Sequence, residues 1–197
     1  MSRLIVAMQT SIDGYVDSSV PDSRWQQWGW GPDWPWSADL RADYNALFAG
    51  TSGILLSRPM VDEGYLGHWS RMAALHPADA DWEFSRRIGE LPKFVACRAD
   101  LPAREWPRTA VLTGGLRETV PKALEAAGGD VLCFGGAGFV AALLEADLVD
   151  ELRLFTNPGF AGAGRSVFGP TLASRVFRAT AATTYDCGIA QLAFSRR

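Results

Sequence analysis

Four residues in succession, Gly135, Gly136, Ala137 and Gly138, follow the apolar run Val131, Leu132, Cys133 and Phe134 and open a helix-like segment over 137–146. Glycine lets the backbone turn and lets a ligand approach without a Cβ in the way. The first amides of a helix have no intrahelical acceptor and carry partial positive charge, so this junction suits an anion such as a pyrophosphate. Gly136, Gly138 and Ala141 also fit a G-x-G-x-x-A dinucleotide fingerprint. In that fingerprint the ribose-binding acid closes the next strand, whereas Asp150 and Glu151 stand at the start of DELRLF. Two readings stay open: a phosphate-binding turn, and a turn that only packs helix against strand.

Other residue types with chemical capacity are few. Ser57, Arg58 and Pro59 form a second strand-to-helix junction with a cation beside it, and Arg98 closes the strand-like KFVAC. Residues 25–36, WQQWGWGPDWPW, hold five of the eight tryptophans among glycines and prolines, which forbids a regular helix or a central strand. Flat indole walls there, Trp30, Trp34 and Trp36 with Tyr44 of the next helix, suit a planar ligand; the same rings could staple the loop to the core or to a second subunit. Three widely spaced cysteines in apolar surroundings read as reduced thiols. Two histidines without H-E-x-x-H or paired C-x-x-C give no basis for a metal site, and no G-x-S-x-G elbow or P-loop is present.

The elements that must position these residues follow from apolar runs and breakers. Strands are expected at 3–8, 53–57, 93–97, 109–113, 131–134 and 151–155. Helices are expected at 37–48, with Ser37 as N-cap and Asp39 in the first turn, after Pro59, at 82–89, from about 118, and at 137–146. Pro121 is placed in the first turn of its helix. Two alternating segments, 175–185 and 188–195, joined at Asp186, Cys187 and Gly188, read as an antiparallel hairpin. The fold class expected is α/β, a mixed sheet with an antiparallel edge.

At 197 residues and 48% hydrophobic content, the chain is long enough for one domain, 1–197, with a real core and no linker. Its net charge of −3, with both signs intermixed, offers no basic stripe for nucleic acid. The N-terminal apolar run is too short for a signal segment or a membrane span, so a cytoplasmic protein with a small-molecule partner is expected.

Taken in order, SIDGYV (11–16), ILLSRPM (54–60), LPKFVACRADL (91–101), DVLCFGGAGFVAALLEADLVDELRLFTNP (130–158) and AGAGRSVFG (161–169) resemble the dihydrofolate reductase superfamily, in the branch similar to the reductase domain of riboflavin biosynthesis. The resemblance implies a three-layer fold with a mostly parallel central sheet, NADPH as cofactor, hydride transfer to a C=N or C=O bond of a small planar substrate, and a homodimer. It makes Gly135, Gly136, Ala137 and Gly138 the pyrophosphate loop, Ser57, Arg58 and Arg98 the phosphate side of the adenosine, and Gln9, after Met8, a neighbour of the nicotinamide carboxamide. It sets Ile12, Asp13 and Gly14 in a loop over the nicotinamide. Asp39 is nominated as the first-helix carboxylate, with Asp43 its rival, so Asp13 and Asp39 are the catalytic candidates. Met60 departs from the family pattern, which has a threonine there. The alternative is a non-catalytic ligand-binding protein on the same fold.

Overall fold

The computed structural model describes residues 2–98, 106–169 and 171–196. Its strands are β1 (Leu4–Thr10), β2 (Gly53–Ser57), β3 (Lys93–Cys97), β4 (Thr109–Thr113), β5 (Val131–Cys133), β6 (Glu151–Thr156), β7 (Phe177–Thr184) and β8 (Ala190–Arg196). Its helices are α1 (Ala38–Ala49), α2 (Arg58–Asp62), α3 (Tyr65–Leu75), α4 (Glu83–Glu90), α5 (Leu116–Ala127) and α6 (Ala137–Glu145). The eight strands form one sheet in the order β4-β3-β2-β5-β1-β6-β8-β7. Pairing is parallel from β4 across to β6, and antiparallel for β6 with β8 and β8 with β7. This is the mixed α/β sheet with a C-terminal hairpin expected from the sequence. Its strand order is not that of the Rossmann sheet, and the fingerprint reading of Gly136, Gly138 and Ala141 falls with it.

The inner strands are buried on both faces, which is why they read as unbroken apolar runs. Because side chains alternate along a strand, each strand feeds two cores. Ile5, Ile54, Leu56, Val95 and Leu132 pack with Leu40 and Tyr44 of α1, Trp69 and Met72 of α3, and Phe84 and Ile88 of α4. Leu4, Val6, Leu55, Phe94 and Cys133 pack with Val120 and Ala123 of α5 and Val140 and Leu143 of α6. The result is three layers, helices on both faces of the sheet.

Three expectations are corrected. Helix α3 has no counterpart in the sequence reading, although Trp69 and Met72, three apart, bury one face of it. Pro121 lies inside α5 rather than in its first turn, because the helix already starts at Leu116 behind Gly115. Residues 25–36 do not form a ligand wall as a unit. Trp25, Trp28, Trp34 and Trp36 are buried core, and Trp28 lies 4.7 Å from Trp34 and 5.1 Å from Trp36, ring to ring. Tyr44 and Phe84 close the same cluster, Tyr44 at 5.3 Å from Trp36 and Phe84 at 4.9 Å from Trp34. Offset and edge contacts of this kind contribute about 0.5–1.5 kcal/mol per pair beyond area burial.

Candidate active site

The C-terminal ends of β1, β5, β2, β3 and β4 open into a single cavity of about 1360 Å³. Five neighbouring strands at ~4.8 Å spacing make this edge about 19 Å long, enough for an extended dinucleotide. Beyond β1 the lining is Met8 and Gln9; beyond β5 it is Phe134, Gly135, Gly136, Ala137 and Gly138. Beyond β2 come Ser57, Arg58 and Met60, beyond β3 Cys97 and Arg98, and beyond β4 Gly114, Gly115 and the start of α5. Trp30, Gln26 and Glu63 add to the wall, as do Asp17 and Arg165 from loops.

The strand-to-helix junctions supply donors. Gly136 N-caps α6 and Gly115 N-caps α5, each accepting from two amides of the first turn. The amides of Ala137 and Gly138, and of Leu116 and Arg117, take no acceptor among the described residues. Both helix starts therefore offer unused N–H groups and partial positive charge to one cavity. A Cβ added at Gly136 or Gly138 meets nothing within 4 Å, so the space above this turn is open to a ligand. At α2, the Ser57 hydroxyl accepts from the Met60 amide at 3.4 Å, and Pro59 sits in the first turn, where it has no N–H to lose. The Met60 methyl reaches toward Gly135, where an added Cβ would lie 3.7 Å from it. Arg58 is not an open cation: Nε lies 2.7 Å from Asp62 Oδ2, and the guanidinium stands 5.7 Å from the Trp106 ring.

Gln9 is buried and held at both ends. Its Nε2 donates to the Trp28 carbonyl at 3.1 Å, and its Oε1 accepts from Asn157 Nδ2 at 3.2 Å. Asn157 is itself fully buried and accepts the Gln27 amide at 2.9 Å, so the strand end, the tryptophan loop and the residue after β6 are locked together.

Of the residues nominated from sequence, Gln9, Trp30, Ser57, Arg58, Arg98, Gly135, Gly136, Ala137 and Gly138 line this cavity. Asp13, Asp39, Trp34, Trp36 and Tyr44 do not. Trp34, Trp36 and Tyr44 are core residues beneath the site. Asp39 lies at the start of α1, accepting from the amides of Leu40 at 2.9 Å and Asp186 at 3.3 Å. The Ser37 hydroxyl, with those amides, holds its carboxyl below the usual carboxylate range, so it is ionised and ill suited to donate a proton. Its rival Asp43 accepts from the Tyr185 hydroxyl at 2.8 Å. Asp13 accepts from the amides of Ala161 at 3.0 Å and Gly162 at 2.8 Å, clipping the loop after β1 to the loop after β6. The Ser11 hydroxyl and then the Ala161 amide pull its carboxyl down to about 2.

A second clip was not foreseen. Asp17 accepts the Arg165 amide at 2.5 Å and pairs with its guanidinium, and both residues face the cavity. Burial would raise the Asp17 carboxyl, but the Arg165 amide and side chain outweigh it and hold it low. Gly164 is required by this closeness, since a Cβ there would sit 2.2 Å from the Asp17 carbonyl. The start of α5, with Arg117 and Glu118, was also missed as site lining. The signal was available: Gly114 and Gly115 end an apolar strand just as Gly135 and Gly136 do.

None of the three cysteines is in a disulfide, and burial pushes the Cys133 thiol up to about 12, which leaves it inert. Among the described residues no cluster of His, Cys, Asp and Glu could hold a metal ion. No helix among them is long and apolar enough to cross a membrane.

Comparison with solved structures supports the fold. A protein of Shewanella sp. PV-4, named provisionally as a riboflavin biosynthesis protein, matches with a TM-score of 0.68 at 22% identity, over 99% of each chain. Acinetobacter baumannii RibD matches at 0.65 and 15% identity, where all of this chain spans 58% of that one. The riboflavin biosynthesis reductase of Saccharomyces cerevisiae matches at 0.58 and 16% identity, over 98% of this chain and 89% of that one. No curated protein matches. The model of the RibD C-terminal domain matches residues 2–191, nearly the full length, and the chain belongs to that family.

Proposed function

We propose that this protein is an NADPH-dependent reductase that delivers hydride to a C=N or C=O bond of a small planar heterocycle, a pyrimidine first among them. The observation that carries this reading is the continuous cavity along five strand ends, with two unfilled helix starts in its floor and Gln9 and Trp30 at one end. The residues present fit a dinucleotide. The amides of Ala137 and Gly138 would hold its pyrophosphate, and Arg58 and Arg98 its adenosine phosphate. NADPH supplies the hydride when bound.

The chain's own contribution is orientation and exclusion of water. Trp30, Phe134 and Met60 give the cavity apolar walls, and the Gln9 carboxamide, fixed by Asn157, presents a defined polar edge to the ring. Neither Asp13 nor Asp39 lines the cavity and both are ionised, so neither is placed to supply the proton, which comes from another acid or a water. The exposed edge strand β7, uncovered along seven of its eight residues, supports the expected homodimer. Pyrimidine reduction is the first activity to try because a Thermotoga maritima protein of this fold bears the name 5-amino-6-(5-phosphoribosylamino)uracil reductase.

A second reading, a non-catalytic binder of flat ligands, is favoured by Met60 against Gly135 and by the pairing of Arg58 with Asp62. One experiment separates the two: NADPH titration followed by tryptophan quenching and melting temperature, then NADPH consumption with a panel of reducible heterocycles. Saturable binding with turnover supports the reductase. Binding of a heterocycle with no response to NADPH supports the second reading.

A further inference from the structure

The β4 end of the cavity holds a carboxylate among its cations. Glu118 is the third residue of α5, and its side chain folds back over the turn that leaves β4: a Cβ at Gly114 would lie 2.5 Å from Glu118 Oε2. Gly114, Arg98, Arg117 and Glu118 all line the cavity, and the Gly114 amide donates to the Cys97 carbonyl at 3.0 Å, so the β3 and β4 ends form one patch. Among the described residues the Glu118 carboxylate takes no hydrogen bond or ion pair. Arg58, beyond β2 and so two strands from β4, faces Asp62 at 2.7 Å.

We infer that Glu118 sets the cofactor preference of this protein, accepting the 2′-hydroxyl of an unphosphorylated dinucleotide and opposing a 2′-phosphate. This rests on the dinucleotide reading above. A carboxylate with free lone pairs can accept from a ribose hydroxyl, while the same charge beside a phosphate is repulsive by Coulomb's law. Arg98 and Arg117 pull the other way. The outcome is a narrowed preference, in which NADH and NADPH bind with similar affinity.

Calorimetric titration of the whole protein with NADPH and with NADH tests this without reference to turnover. Wild-type dissociation constants are expected within about tenfold of each other, and Glu118→Gln is expected to shift their ratio about tenfold toward NADPH. Glu118→Ala should do the same, which guards against a new contact made by glutamine. Arg117→Gln should shift the ratio toward NADH. A ratio that moves less than about twofold in both Glu118 variants overturns the inference while leaving the dinucleotide site intact. Wild-type protein that binds neither dinucleotide overturns the cofactor reading itself.

Discussion

The buried side chains of Gln9 and Asn157 meet amide to amide, 3.2 Å apart, and in this way the last residues of β1 are fixed by the residue that follows β6. Asn157 also donates to the Phe155 carbonyl at 3.3 Å. Asn157→Ala leaves Gln9 Oε1 and the Gln27 amide without partners, at a cost of about 1–3 kcal/mol for each buried group. Urea unfolding of the variant should show this loss. Any residual folded protein should turn over more slowly, because the Gln9 carboxamide is no longer held.

Tryptophans of the same loop should respond in opposite ways. Trp36 is buried in the aromatic cluster, whereas Trp30 is partly exposed and lines the cavity. Trp36→Ala is expected to cost about 3–5 kcal/mol of stability. Trp30→Ala should keep most of the stability and lose ligand affinity, so melting temperature and binding measured side by side on both variants check the assignment.

Gly138→Val should separate affinity from folding. The position is inside α6 and has open space above it, and valine is a better helix residue than glycine by a few tenths of a kcal/mol. Stability is expected to hold or rise slightly, while NADPH affinity falls at least about tenfold because the phosphate can no longer approach the backbone. Unchanged affinity would remove the pyrophosphate role of this turn.

The Asp13 clip gives a pH signature. Its folded carboxyl titrates at about 2, below the ordinary value of 3.8, so the clip is fully present above pH 3.8 and is lost as pH falls through about 2. The amide proton shifts of Ala161 and Gly162, followed by NMR, should titrate together near that value. In Asp13→Asn the same amides should exchange faster with solvent at neutral pH, and unchanged exchange would show that the loops are held by other contacts.

Much of this architecture was legible because inner strands buried on both faces leave short apolar runs: GILLS and KFVAC coincide with β2 and β3, and the edge strand β4 was read from the β-branched and apolar residues of TAVLT between breakers. The glycine turn before α6 was legible for the same local reason. What escaped was set by contacts distant in sequence. The tryptophans of 25–36 left two readings open, a ligand wall and a staple to the core, because nothing local reveals that Tyr44, Trp69, Trp82 and Phe84 surround Trp28. The pairing of Asp17 with Arg165 joins residues 148 apart. Asp39 read as a catalytic acid on its place in the first helix, but its lone pairs are taken by backbone amides, one of them from the hairpin turn.

The central claim is that one dinucleotide spans the strand ends from β1 to β4. At 21.4 kDa the chain suits backbone NMR, and NADPH titration followed through amide shifts addresses the claim directly. The amides of Ala137 and Gly138 and those of Leu116 and Arg117 should move together with a single dissociation constant. Shifts confined to one pair, or none at either, would contradict it.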